Sequence, residues 1–252
     1  MIILLSPTKQ MDFSRELKVS LSLGNPLFSR EAFEINRLLG HSSPMEMAGL
    51  MKTSEKLAES TCSLVRSFGS DDCARGPALL SYSGTVFQHM DVPSLEEGEW
   101  RYASDHVRIL SGMFGYLKPD DRIYPYRLEM KTPLTTSSGS GLYTFWKDKI
   151  TESLVAENRP VLNLTSSEYG KAVDWKRLSN PILSIHFKEI KGSGFSTVGM
   201  YSKMARGKIA GRIIREGLTD WKALKDWNIN GYRYNDELSK ADKWIFSGNW
   251  RS

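Results

Sequence analysis

The chain has 252 residues, 40% hydrophobic and 25% charged, an ordinary globular composition long enough to bury a core without covalent staples. Two cysteines, Cys62 and Cys73, exclude a disulfide framework and suit a reducing compartment; the apolar opening, residues 1–5, is too short for a secretory leader, and no run approaches the roughly 20 apolar residues that span a bilayer, so no membrane partner and a cytoplasmic location are expected. The net charge of +5 is uneven, with 16 Lys and Arg against 9 Asp and Glu from residue 161 onward and 18 against 20 before it, and a basic final third suits either a polyanion partner or a solvated face.

Residues 1–6 read as a short buried strand, aliphatic and stopped by Ser6-Pro7. Residues 17–26 mix Ser, Gly, Asn and Pro and read as a loop. Residues 30–39 carry Phe33, Ile35, Leu38 and Leu39, which suits a helix. Residues 53–68 form a stronger one, with Leu57, Thr61, Leu64 and Phe68 on one face and Thr53 or Ser54 as N-cap. Residues 78–82 read as a second strand, and residues 99–117 as a helix broken by Gly112 and Gly115. Pro125 biases its predecessor away from helix, so residues 123–130 are expected to be extended. A helix over 142–156 and a buried strand over 161–164 follow. Residues 181–191 and 195–200 flank Gly192-Ser193-Gly194, a hairpin signal. Residues 202–216 read as a basic amphipathic helix and 232–246 as a second hairpin. Strands and helices are interspersed without a linker, which predicts one mixed α/β (α+β) domain over residues 1–252.

Four segments could carry chemistry. In the extended run Pro125-Tyr126-Arg127-Leu128-Glu129-Met130, alternate residues share a face, so Arg127 and Glu129 point one way and Leu128 and Met130 the other. That pair is either a structural ion pair or an anion clamp whose Arg is oriented by the Glu. In Asn163-Leu164-Thr165-Ser166-Ser167-Glu168-Tyr169-Gly170-Lys171 a strand ends and a helix opens. The serines either cap that helix or leave N–H groups for an anion, with Lys171 nearby. On the basic helix, Lys208, Arg212 and Arg215 form one stripe beside Ala205, Ile209 and Ile213. This is a solvated face or a phosphate-contacting one. Finally, the first strand delivers Ser6-Pro7-Thr8-Lys9 at its C-terminal end, where α/β proteins build sites. His41, His89, His106 and His186 are scattered. No metal site is supported, no phosphate-loop, dinucleotide or nucleophile-elbow motif is present, and no cofactor is expected.

Several runs together resemble the YaaA family. They are Ile3-Leu4-Leu5-Ser6-Pro7-Thr8-Lys9, Leu50-Met51-Lys52-Thr53-Ser54-Glu55-Lys56-Leu57, Leu110-Ser111-Gly112-Met113-Phe114-Gly115-Tyr116-Leu117, residues 125–130, Leu142-Tyr143-Thr144-Phe145-Trp146, residues 163–171 and residues 203–207. They occur in the family's order and span nearly the whole chain. The resemblance implies a cytoplasmic protein of the peroxide-stress response that limits free intracellular iron and binds DNA. It also implies a single domain with a helix-hairpin-helix-like element around residues 106–119, where Gly112 and Gly115 would permit a tight turn toward a phosphate backbone. The chain departs from the family's Tyr-x-Gly-x-Val-Tyr-x-Gly-Leu pattern at Phe87-Gln88-His89-Met90, losing a tyrosine hydroxyl and a glycine, and carries Lys131 where glycine is frequent.

Two functions from different classes follow. One is a DNA-binding stress protein using the basic surface of Lys208 and Arg212. The other is an enzyme acting on a nucleotide or other small anionic metabolite. The anion-contacting candidates are Ser6, Lys9, Lys56, Arg127, Ser166, Lys171, Lys203, Arg206, Lys208 and Arg212, and Glu129, Glu168 and Tyr169 are the candidates for proton transfer. Convergence of the mixed-sign group on one cleft would favour the second reading, and dispersal would defeat it.

Overall fold

Aliphatic residues flanked by chain breaks form the centre of the sheet. The computed structural model describes residues 1–20 and 22–251; Leu21, within the predicted loop, lies outside them. Strand β1 (Ile2–Leu5) has no exposed residue. It pairs in parallel with β2 (Val107–Ser111) on one side. On the other it pairs in parallel with β4 (Val161–Asn163), counting β3 (Gly115–Leu117) as the strand between them in sequence. Strand β5 (Ile182–Lys191) adds in parallel to β4 and carries β6 (Gly194–Ser196) as a hairpin partner. The short β7 (Asn228–Ile229), β8 (Tyr232–Lys240) and β9 (Lys243–Gly248) complete the sheet. Among the described residues the order is β7-β8-β9-β5-β4-β1-β2-β3. The run β9-β5-β4-β1-β2 is parallel throughout, with antiparallel strands at both ends. The mixed α/β class and both predicted C-terminal hairpins are therefore observed.

The helices are α1 (Ser29–Gly40), α2 (Pro44–Met51), α3 (Glu55–Ser67), α4 (Ala78–Ser81), α5 (Thr85–Met90), α6 (Glu97–His106), α7 (Leu142–Glu157), α8 (Ser167–Gly170) and α9 (Gly199–Glu216). Helix α2 opens on a complete capping box, Ser43 with Glu46. Helix α9 buries Ala205, Ile209 and Ile213 and leaves Lys208, Arg212 and Arg215 exposed, as its spacing predicts.

Three expectations are corrected. Of the strand predicted over residues 78–82, Ala78–Ser81 forms the one-turn helix α4 and Tyr82 only an isolated bridge to Met11. The run Ala78-Leu79-Leu80-Ser81 is buried on all sides, so its pattern carries no period. The helix predicted over 99–117 ends at His106, where the chain enters β2. A parallel strand covered on both faces shows no alternation, and the one charged residue, Arg108, is buried against Glu157 at 2.6 Å.

The expected helix-hairpin-helix around residues 106–119 is instead a β-hairpin, β2 against β3. Its turn is satisfied internally, with the Met113 and Phe114 N–H groups donating to Ser111 Oγ and the Gly112 carbonyl accepting from Trp146 Nε1. Gly115 has φ of +67°, and a Cβ there would lie 2.5 Å from the Trp146 ring. These glycines serve core packing and are turned away from a phosphate.

The tightest helix crossing is α5 over α9. A Cβ on Gly207 would overlap the Val86 carbonyl oxygen and come within 2.8 Å of His89 Cβ. The departing residues of the family pattern therefore lie in this contact, where Phe87 is fully buried against Tyr82 at 5.1 Å between ring centroids. Gly207→Ala should lower stability by about 2 kcal/mol or more by overpacking. Gly49→Ala in α2, where an added Cβ meets nothing within 4 Å, should instead raise it by roughly 0.5–1 kcal/mol through helix propensity. Urea denaturation of both variants checks the pair, and equal midpoints would refute the crossing as a constraint.

Candidate functional site

The C-terminal ends of β1 and β4 lie side by side, and the chain leaves both through serines. Ser6 Oγ accepts from the Ser166 backbone N–H at 2.8 Å and lies 3.3 Å from Ser166 Oγ. Ser166 Oγ in turn caps α8 by accepting from the Tyr169 N–H. The predicted cap is present, and the Ser166 N–H is engaged by Ser6. These two serines stitch the strand ends together and form the floor of a cleft of about 730 Å³.

The extended segment after β-paired Arg122-Ile123 forms one wall. Its burial alternates as the sequence predicts: Tyr126, Leu128 and Met130 are buried, while Arg127 and Glu129 are partly exposed. Leu128 nevertheless reaches the cleft lining along with Arg127 and Glu129. Gly112 supports this wall from behind, since a Cβ there would lie 2.8 Å from the Leu128 carbonyl oxygen. The opposite wall is α9, which supplies Lys203 and Arg206, with Thr85 and Val86 of α5 beside them.

Lys9, Arg127, Glu129, Ser6, Ser166, Glu168, Tyr169, Lys203 and Arg206 thus line one cleft, although they come from four separate stretches of sequence. Lys56, Lys171, Lys208 and Arg212 are absent from its lining and are exposed. Arg212 is further occupied by Glu216 at 2.6 Å and by the face of Trp227 at 4.0 Å. Arg215 is tied to the Met90 carbonyl at 3.0 Å and to Ser94 Oγ at 2.7 Å.

Charges in the cleft are unequally paired. Glu129 binds Lys9 at 2.8 Å and Lys131 at 3.5 Å. Burial pushes its carboxyl up, but the hydrogen bond and charge of Lys9, helped by Lys131, outweigh this and hold it below the usual carboxylate range. Lys131 therefore acts on the site. Glu168 Oε1 accepts from the Lys131 N–H at 3.3 Å and fixes the wall. Arg206 differs. Its Nε is buried without a hydrogen-bond partner, and among the described residues it makes no ion pair. Burial alone lowers its pKa from the ordinary arginine value. The same guanidinium, after burial and Lys243, helps to hold His186 down at about 4.

Sequence reasoning missed Tyr126 as a cleft residue. Its hydroxyl lies 2.7 Å from that of Tyr82 and 2.8 Å from Ser111 Oγ, both fully buried. Burial raises all three tyrosines Tyr82, Tyr126 and Tyr169, with Tyr126 at about 12. They are neutral hydroxyls at physiological pH and offer hydrogen bonds rather than charge. No periodicity singles them out, because they are assembled from three distant segments. A second compartment of about 420 Å³, lined by Leu50, Met51, Lys52 and Thr53 and by residues 127–129 and 131–133, was also not anticipated; it shares Lys9, Arg127, Leu128 and Glu129 with the first. Among the described residues no three His, Cys, Asp or Glu side chains are grouped as a metal site, Cys62 and Cys73 are free and buried, and no helix is long and apolar enough to cross a membrane.

Comparison with known proteins places this architecture. The family described as Peroxide stress protein YaaA matches residues 1–238. A UPF0246 protein of Crocosphaera subtropica is 34% identical over 251 residues, covering 98% of this chain and 99% of that one. UPF0246 proteins of Caulobacter vibrioides and Polynucleobacter asymbioticus are 34% and 36% identical, each with 98% of both chains covered. With the match running through every wall of the cleft, the chain belongs to the peroxide stress protein YaaA family.

Proposed function

We propose that this protein serves the peroxide-stress role of its family by holding a phosphate-bearing ligand in the cleft between the 125–130 segment and α9. The observation that carries this reading is Arg206. Among the described residues its Nε is buried with neither a hydrogen-bond partner nor a counter-ion beside it, and a buried donor left unpaired costs about 1–3 kcal/mol. A ligand anion supplies the missing partner. Its position among Lys9, Arg127 and Lys203 concentrates positive charge on one small volume, and the guanidinium geometry suits phosphate oxygens. Glu129 then acts as a resident counter-ion for Lys9, displaced or repositioned when a phosphate arrives. The effect on free iron implied by the family resemblance would lie downstream of this ligand.

A second reading is a single nucleic-acid strand. The two compartments adjoin, and Lys52 and Lys131 extend the line of cations beyond the first. A sugar–phosphate backbone could follow that line, with affinity falling steeply as salt rises. The stripe of Lys208 and Arg212 supports the strand reading less well, because Arg212 is already paired and stacked.

Titration calorimetry with inorganic pyrophosphate at low salt tests the main reading. Arg206→Ala should weaken binding at least about 10-fold, the loss of a charge-assisted hydrogen bond, while Lys208→Ala leaves it unchanged. Absence of binding by the unmodified protein, or indifference to Arg206→Ala, defeats the proposal. Lys9→Met should raise the pKa of the Glu129 carboxyl, followed by carbon-detected NMR. With a folded pKa below its unfolded value, Glu129 stabilises the unmodified protein above the ordinary carboxylate range, and this contribution is lost as pH falls through the folded value. The variant should show a weaker acid-side loss. An unmoved Glu129 titration would mean that Lys9 does not control it.

A further inference from the structure

We infer that the cleft is one half of a two-part site for a nucleoside phosphate, with the phosphates in the arginine-lined compartment and the nucleoside in the neighbouring compartment under the end of α2. This rests on the reading of the first compartment as a phosphate site and adds the identity of what the phosphate is attached to.

The two compartments differ in chemistry and share a boundary. The first has four cations, Lys9, Arg127, Lys203 and Arg206, facing two carboxylates and the serine floor. The second, about 420 Å³, is bounded on one side by Leu50 and Met51 and on the other by Thr132 and Pro133. Leu50, Met51 and Thr53 are half-buried and Thr132 is buried, whereas Lys52 and Lys131, which also line this space, are exposed at its rim, so its interior offers thioether and aliphatic surface with hydroxyls at hand. Such a lining accepts a flat, uncharged group with a few hydrogen-bonding edges better than it accepts more phosphate. Arg127 and Leu128 border both spaces. From that position one guanidinium can bond a phosphate with its edge and stack on a base with its plane. The chain is shaped for this opening. Helix α2 ends at Lys52, whose backbone is left-handed with φ of +49°. That turn carries Met51, Lys52 and Thr53 along the compartment before α3 begins at Glu55. The first compartment adds to the shared Lys9 and Arg127 the α9 cations Lys203 and Arg206, the latter with an unpartnered Nε, and this favours more than one phosphate group there, which makes a nucleoside diphosphate the natural occupant.

The boundary is the Lys9–Glu129 pair, which faces both compartments. A ligand spanning them passes this pair, so its sugar lies where the carboxylate could accept hydroxyl hydrogens. This gives Glu129 a use that a free phosphate would not require.

Calorimetry with the full chain tests the assignment, using inorganic pyrophosphate, adenosine diphosphate and uridine diphosphate as probes. The expected result is at least 10-fold tighter binding of one or both nucleoside diphosphates than of pyrophosphate. Met51→Trp, which fills the second compartment, should reduce that advantage below about 2-fold while leaving pyrophosphate affinity intact. Met45→Trp, on the exposed side of α2 with the side chain 77% exposed, should leave both unchanged, and circular dichroism checks the folding of each variant. Pyrophosphate and both nucleoside diphosphates binding equally to the unmodified protein would overturn this inference while leaving the phosphate reading intact. No binding of any probe would overturn both. A nucleoside preference that persists in folded Met51→Trp would place the nucleoside elsewhere and overturn the inference as well.

Discussion

The structure depends on the parallel pairing of Ile2–Leu5 between two strands that arrive from far along the chain. Each of these residues is fully buried, and each burial contributes roughly 1.5–3 kcal/mol of transfer free energy. The pairing joins residues separated by more than a hundred positions, Leu4 with Arg108 and with Asn163. Its consequence is directional. Parallel strands end on the same edge, so Ser6 and Ser166 emerge together, and the hydrogen bond between them locks the two exits at a fixed spacing. Everything that lines the cleft hangs from that edge: Lys9 three residues beyond Ser6, Glu168 and Tyr169 just beyond Ser166, and the 125–130 segment that closes over β2 through the Tyr126–Ser111 contact.

The second wall follows from a packing constraint rather than from pairing. Helix α9 approaches α5 so closely at Gly207 that the helix cannot rotate without a clash. Arg206 is the neighbour of that glycine in sequence, so the contact that fixes the crossing also fixes the direction of the guanidinium. Close packing here thus holds a guanidinium whose Nε has no partner. Proteins hold strained or undersatisfied groups in this way where the surroundings over-determine them.

Much of this was legible in the sequence, and the limits have physical causes. The amphipathic helices α3 and α9 announce themselves because one face is buried and one is wet. The alternation of residues 125–130 is readable because an extended segment with one covered side leaves a period of two. The same logic fails where burial is complete. Residues 78–81 and β2 have no wet side, so their pattern cannot tell helix from strand, and the glycines of the β2–β3 turn look like phosphate-binding elements when Gly112 is making room for the Leu128 backbone and Gly115 for Trp146. The chain also shows which residues carry charge, but not which are partnered. Arg212 and Arg206 are equivalent on paper. One is stacked on Trp227 and paired with Glu216; the other has a buried Nε with no partner. The second compartment was invisible because residues 50–53, 127–129 and 131–133, although two of these stretches belong to runs that carry the resemblance, become a site only where remote segments meet.

The contrast between Glu129 and Arg206 bears most directly on function. A cleft built only for stability would pair them, since both are partly buried charges of opposite sign. Instead Glu129 is given two lysines and Arg206 none. The carboxylate is therefore satisfied within the protein and the Arg206 Nε is not. The phosphate proposed above would meet Arg206 without first breaking a protein ion pair, whereas at Lys9 it would compete with Glu129, so the two walls of the cleft would contribute unequally to holding it.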